Sequence, residues 1–294
     1  MPQNACATFV WKELAEMRLT FILSLVGLLS LNHSLDHLDP ITSRLSRITA
    51  GSNAAQSDFP YIVSIRLVTR ELVGGFGEGF FCTGVLVSPR DVLTSASCVL
   101  NGSGLRFPEE LRLVLGITSR TNSSGAIVVE PKQFWVHYKA SLAFLRLKQE
   151  LVNVRTVVLN NLDQQSGKMC LIAGWGANSS NSDSLEWLQK LDVRIHTESY
   201  SNGLICAEPK NESAGVCFRD LGVPLLCDGS LVGVLVNEPK QCGGQISEFA
   251  SVRIYYEWIE SQIARASAVK SYKCIDIVII VIIIFTHHLN SHVK

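Results

Sequence analysis

Between Ile48 and about Val236, short apolar runs of strand length alternate with clusters of Gly, Asn, Ser and Pro. The runs are Tyr61–Leu67, Gly84–Val87, Leu111–Leu115, Ile127–Val129, Leu142–Leu147, Leu188–Ile195 and Leu231–Val236. Their alternation and β-branched content predict strands, and the turn residues between them predict antiparallel pairing in a sheet, sandwich or barrel. The period changes over Ile254–Ile263, where Tyr255, Trp258 and Ile259, with Gln262 or Ile263, fall on one face of a helix. A mostly β domain closed by a single C-terminal helix is the expectation. No repeat at a solenoid period interrupts it.

Two apolar stretches lie outside this pattern. In residues 17–34, Met17 and Arg18 precede an uncharged run from Leu19 to Leu31, followed by Asn32, His33 and Ser34. That is the layout of a secretory signal peptide, too short for a span that needs about 20 residues. Residues 1–16 then read as an upstream extension ahead of a start at Met17. Near the other end, Ile277–Phe285 is nine apolar residues, followed by His287, His288 and a basic terminus. It is too short to span a bilayer, and its polar end is unlike a lipid-anchor signal. Residues 265–294 are set apart as an apolar tail, its Ile277–Phe285 run is read as a short sticky strand or a gene-model error, no membrane contact is expected, and nothing organises the terminal histidines as ligands.

With 294 residues, 47% of them hydrophobic, the chain has ample material for a packed core. Lys plus Arg and Asp plus Glu are 26 each, so no global field draws the chain to nucleic acid. Nine cysteines occur, at 6, 82, 98, 170, 206, 217, 227, 242 and 274. Export would carry them to an oxidising compartment where they pair, Cys6 being lost with the leader. No CxxC pair or His/Cys cluster at zinc-ligand spacing is present, so neither a metal nor a cofactor is expected. Asn101, Asn122, Asn178 and Asn211 each open an Asn-x-Ser sequon, compatible with surface glycosylation.

Four stretches in order carry a resemblance. Leu45-Ser-Arg47 precedes Ile48-Thr-Ala-Gly51 and Phe59-Pro-Tyr-Ile-Val-Ser64; Phe81 to Pro89 is followed by Val92 to Cys98; then come Cys170-Leu-Ile-Ala-Gly-Trp-Gly176 and Cys206 through Cys227. Together they resemble the chymotrypsin-like serine proteases. The resemblance implies two antiparallel six-stranded β-barrels with a C-terminal α-helix and a catalytic crevice between them. It divides the chain into a signal at 17–34, a propeptide at 35–47 and a protease-like domain at 48–264, split near residue 160.

Carried over residue by residue, the triad is degenerate: Ser97 stands where the family has histidine, Ser141 where it has aspartate, and Leu221 where it has the nucleophilic serine. A leucine offers no oxygen to attack a carbonyl, and without a histidine within reach no serine would be activated. Only His137 and His196 lie inside the domain, and both read as histidines with local partners. Arg219 fills the place of an oxyanion-hole glycine. Gly215 takes the place of the specificity aspartate of trypsin-like members, and Val236, Asn237 and Glu238 replace the substrate-pairing Ser-Trp-Gly edge. Retained are Arg47 and Ile48, which resemble an activation bond, and Asp220, which resembles the carboxylate that receives the new amino terminus. The resemblance also implies bridges Cys82–Cys98, Cys170–Cys227 and Cys217–Cys242. Cys206 is left odd, as a buried free thiol, a pair with Cys274, or a bridge to another chain.

The expectation is a secreted serine protease homologue without enzymatic activity, acting as a cofactor, decoy or adaptor toward a protease, zymogen or inhibitor in an extracellular cascade. The alternatives are a peptidase of unusual mechanism and a membrane-associated recognition protein.

Overall fold

The computed structural model describes residues 51–177, 184–196, 201–211, 214–237, 239 and 242–265. In chain order the strands are β1 Ser52–Asn53, β2 Ile62–Leu67, β3 Phe80–Ser88, β4 Asp91–Ser95, β5 Leu100–Asn101, β6 Gly104–Leu105, β7 Leu111–Leu115, β8 Ile127–Val129, β9 Pro131–His137, β10 Leu142–Leu147, β11 Val158–Leu159, β12 Met169–Gly174, β13 Gln189–Ile195, β14 Leu204–Pro209, β15 Pro224–Cys227, β16 Ser230–Leu235 and β17 Ser247–Ser251. They form two large sheets and the small β5–β6 hairpin.

The first sheet runs β8-β7-β2-β3-β4-β10-β9 and curls without a closing ladder. In the second, the path β13-β12-β15-β16-β17-β14 returns to β13 through antiparallel pairs such as Ile195 with Ala207, which closes a six-stranded barrel. Strand β10 explains why its sequence is a nearly continuous apolar run rather than an alternating one. Ala143, Leu145 and Leu147 fill the hollow of the first sheet with Val63, Ile65 and Leu113. Leu142 and Phe144 face the other way, into a core shared with the second barrel and Ile259. Both faces are buried, so both are apolar. Arg146, on the outer face, is matched there: its Nε meets Asp91 Oδ1 at 2.8 Å, its Nη2 donates to Gln262 O at 2.7 Å, and its guanidinium lies over Trp135.

The shared core is where the two halves meet. Trp175 is fully buried, stacks edge-on to Phe80 with centroids 5.9 Å apart, and donates Nε1 to Thr118 O at 2.8 Å. The hairpin joining β15 to β16 turns on Asp228 and Gly229 at φ 50° and 75°, the pair of positive φ angles that a two-residue turn needs to follow strand twist.

The expected C-terminal helix is present over 256–265 within the described residues, and is called α2 here. A further helix that the sequence pattern did not announce, α1 Val68–Gly74, is inserted between β2 and β3. It has no apolar stripe to announce it; an interior carboxylate holds it, since Glu71 is buried against Arg66. Leu72 and Val73 on the same helix stay exposed.

The disulfides Cys82–Cys98, Cys170–Cys227 and Cys217–Cys242 are present. Cys206 is buried and disulfide-bonded as well, which corrects the reading as a free thiol; Cys6 and Cys274 lie outside the described residues. Cys170–Cys227 ties β12 to the end of β15 across 57 residues. Replacing both cysteines by serine is expected to cost about 2–4 kcal/mol. For a domain of this size that lowers Tm by about 4–16 °C in calorimetry. An unchanged Tm would contradict it.

Candidate functional site

Ser97, Ser141 and Leu221, the positions to which the resemblance assigns a triad, come together on one seam between the halves. Ser97 is exposed on the 3₁₀ turn Ala96–Cys98, its N–H donating to Ser95 Oγ at 3.3 Å. The neighbouring Ala96 N–H donates to Ser141 O at 2.7 Å, and Ser141 itself sits in the left-handed region at φ 53°, just ahead of β10. From the second barrel, Leu221 O accepts the Thr83 N–H at 2.9 Å and lies 3.8 Å from Cys98 Sγ. The Leu221 side chain is partly buried against the core of the first sheet. Two hydroxyls and a hydrocarbon therefore stand where the resemblance implies imidazole, carboxylate and nucleophile.

The two domain histidines stand at the ends of β9 and β13. His137 Nδ1 accepts the Ala140 N–H at 3.0 Å, and its ring packs between Tyr255 and Trp258, with centroids 5.0 and 5.2 Å away. That makes it a cap for a turn and a wall for α2. His196 follows β13, its N–H donating to Cys206 O at 2.9 Å.

Around the seam, two of the substituted positions hold positive φ angles. Arg219 holds φ 68°, a left-handed conformation that costs a non-glycine residue about 1–2 kcal/mol. Its Nη1 donates to Ser184 Oγ at 3.1 Å, so the side chain reaches toward the segment after Trp175. Gly215 sits at φ 147°, and a Cβ there would stand 2.9 Å from Gly243 Cα, so the site leaves no room for an aspartate until that backbone moves. Val236 is buried, and exposed Asn237 donates Nδ2 to the buried Glu248 carboxylate. Glu248 is a site residue that the sequence did not disclose, since nothing in its neighbours marks it as buried. Glu238, Asn178, Arg47 and Ile48 lie outside the described residues.

Asp220 is 1% exposed. Its Oδ1 accepts the Gly176 N–H at 3.1 Å and its Oδ2 the Cys217 N–H at 2.8 Å, which replaces part of the hydration a buried carboxylate loses. Gly176 has to be glycine, because a Cβ there would overlap the Asp220 carboxylate. Gly222 is under a similar constraint: at φ 84°, a Cβ would overlap Thr83 O and Thr94 Oγ1. Among the described residues, no group of three or more His, Cys, Asp or Glu side chains could hold a metal ion.

A curled β sheet and a closed barrel that share a core, with Asp220 buried where they meet, define a chymotrypsin-like protein. The family model described as Trypsin matches residues 48–259, and the chain belongs to that family. Among curated relatives, serine protease SP24D of Anopheles gambiae is 28% identical over 235 residues, covering 75% of this chain and 82% of its own. Human azurocidin is 27% identical over 261 residues, covering 83% and 95%. Among solved structures, a mutant of human heparin binding protein matches with a TM-score of 0.65 at 23% identity, over 73% of this chain and 96% of that one. Neuropsin from mouse brain matches at 0.62 and 24%, over 73% and 99%.

Proposed function

We propose that this chain is an exported member of the trypsin family that has given up peptide hydrolysis and works by binding a protein partner, a protease, zymogen or inhibitor, in an extracellular proteolytic cascade. The observation that carries the reading is Leu221: its side chain packs against the first sheet, and no hydroxyl occupies the family's nucleophile position. Acyl transfer needs an oxygen or sulfur nucleophile and a base within hydrogen-bond reach. Ser97 and Ser141 supply no base, and His137 is engaged with Ala140. The disulfides, with Cys206 bonded besides the three described bridges, suit an oxidising compartment and support export. One relative is named for heparin binding, but equal numbers of acidic and basic residues here give that ligand no support.

The purified protein is expected to take no label from a fluorophosphonate probe and to turn over no member of a fluorogenic peptide library, beside an active trypsin as control. Covalent capture in the crevice, or turnover by material free of contaminating protease, would replace this reading with a peptidase of unusual mechanism.

The family's activation device is part of the same reading. Cleavage after Arg47 would create an ammonium at Ile48, and insertion of that cation beside Asp220 would order the surrounding loops. Treatment with a trypsin-like enzyme is expected to yield an Ile48 terminus and a change in partner binding. Absence of either rules the switch out and leaves the non-catalytic reading intact.

A further inference from the structure

We propose that Asn101 carries an N-linked glycan that stands over the crevice and keeps protein-sized molecules out of it, with Asn122 as a second attachment site on a separate hairpin. This rests on the reading of an exported chain.

Asn101, Gly102 and Ser103 are all exposed, as are Asn122, Ser123 and Ser124. Both asparagines hold the same local geometry: Asn101 Oδ1 accepts the Ser103 N–H at 2.9 Å, and Asn122 Oδ1 accepts the Ser124 N–H at 2.9 Å. Such a turn closes within three residues, so the chain can form it before the domain folds. Among the described residues neither Nδ2 donates a hydrogen bond. A Cβ built at Gly102 or Gly104 meets no atom within 4 Å, so the β5–β6 hairpin projects into open space, and a sugar there displaces no protein contact.

The chemistry requires a polyprenyl-diphosphate-linked oligosaccharide as co-reactant. Asn101 Nδ2 attacks the anomeric carbon, a C1–N bond forms, and the C1–O bond breaks with its electron pair leaving on the diphosphate. The amide proton passes to a carboxylate of the transferase.

Position gives Asn101 its consequence. Ser97 lies four residues back along the chain, so the two Cα atoms are at most about 14 Å apart. Cys98, between them, lies 3.8 Å from Leu221 O at the seam. A branched, hydrated sugar rooted there sweeps the approach to Ser97 and Leu221, leaves small molecules free to enter, and directs a protein partner to another face.

The test expresses the full chain in animal secretory cells and treats protein from the medium with peptide N-glycosidase in oxygen-18 water. Mass spectrometry is expected to find labelled aspartate at 101 and 122 in the majority of copies. Ser97→Cys, with Lys139→Cys as a second exposed probe beside the seam, is then labelled with a small maleimide and with a polymer-linked one. Asn101→Gln is expected to speed the polymer-linked reaction severalfold and leave the small reagent unchanged. Secreted protein bare at Asn101, or equal polymer labelling with and without the glycan at both probes, overturns the inference alone. Bare protein confined to the cytosol overturns the reading of an exported chain together with it.

Discussion

Gly222→Ala is expected to abolish folding of the domain: no cooperative thermal transition, and no chain recovered from the medium of secreting cells. Gly222 is where backbone of the second barrel meets backbone of the first. Its N–H donates to Leu235 O at 2.9 Å, and the preceding carbonyl, Leu221 O, accepts the Thr83 N–H at 2.9 Å. On the facing side, Thr83 O already accepts the Thr94 hydroxyl at 2.6 Å, which fixes it against yielding. An alanine Cβ would overlap Thr83 O and Thr94 Oγ1 and stand 2.9 Å from the Thr83 carbonyl carbon. Every group it meets is backbone or a fully buried side chain, so the halves must separate, at a cost above about 5 kcal/mol. Gly229→Ala is the control, at φ 75° with nothing within 4 Å. It carries only the left-handed cost of about 1–2 kcal/mol. Its Tm should fall by about 2–8 °C. A Gly222→Ala protein that melts within that same interval would show that the halves can part at this point.

The same constraint shows how far the sequence was legible. Strand positions were readable because burial on one or both faces writes itself into apolar periodicity, as in Leu111–Leu115 and Leu142–Leu147, whose bounds coincide with β7 and β10. Ser97, Ser141 and Leu221 could be named from the stretches around them. That they share a seam depends on hydrogen bonds such as Ala96 N–H to Ser141 O, which join residues far apart in the chain. Helix α1 was not legible. Val-Thr-Arg-Glu-Leu-Val-Gly has two β-branched residues in its first turn and no side-chain cap, so local propensity argues against it. A tertiary charge cluster overrides that preference. The closure of Gly215 by Gly243 was likewise hidden, because a contact between two glycines leaves no hydrophobic signature.

Glu71→Ala is expected to destabilise the protein by about 3–5 kcal/mol, the usual cost of removing one partner of a buried ion pair. That corresponds to a fall in Tm of about 6–20 °C. Glu71 Oε1 meets Arg66 Nη1 at 2.8 Å and accepts the Gly77 N–H at 2.7 Å, while Oε2 meets Arg112 Nη1 at 3.1 Å. The Arg66 and Glu71 side chains are 0% and 2% exposed. Burial holds the Arg66 guanidinium below the ordinary arginine range, and the carboxylate pulls in the opposite direction. Arg66 cannot turn to water, because its Nε donates to Ser64 Oγ at 2.9 Å, its Nη2 to Arg120 O at 3.0 Å, and its plane lies over Phe76. Without Glu71 it remains a buried cation near two others. Arg112 is partly exposed and can re-solvate, so the loss concentrates on Arg66. The local consequence is release of α1 and its return to β3, which exposes the Arg70–Glu71 region to a trypsin-like protease under conditions where the parent resists. Replacing both charges at once, Arg66→Met with Glu71→Leu, removes the uncompensated cation and should restore most of the lost stability. A double variant no more stable than Glu71→Ala would mean that the helix is held by the hydrogen bonds to Gly77 and Arg120 O rather than by charge compensation.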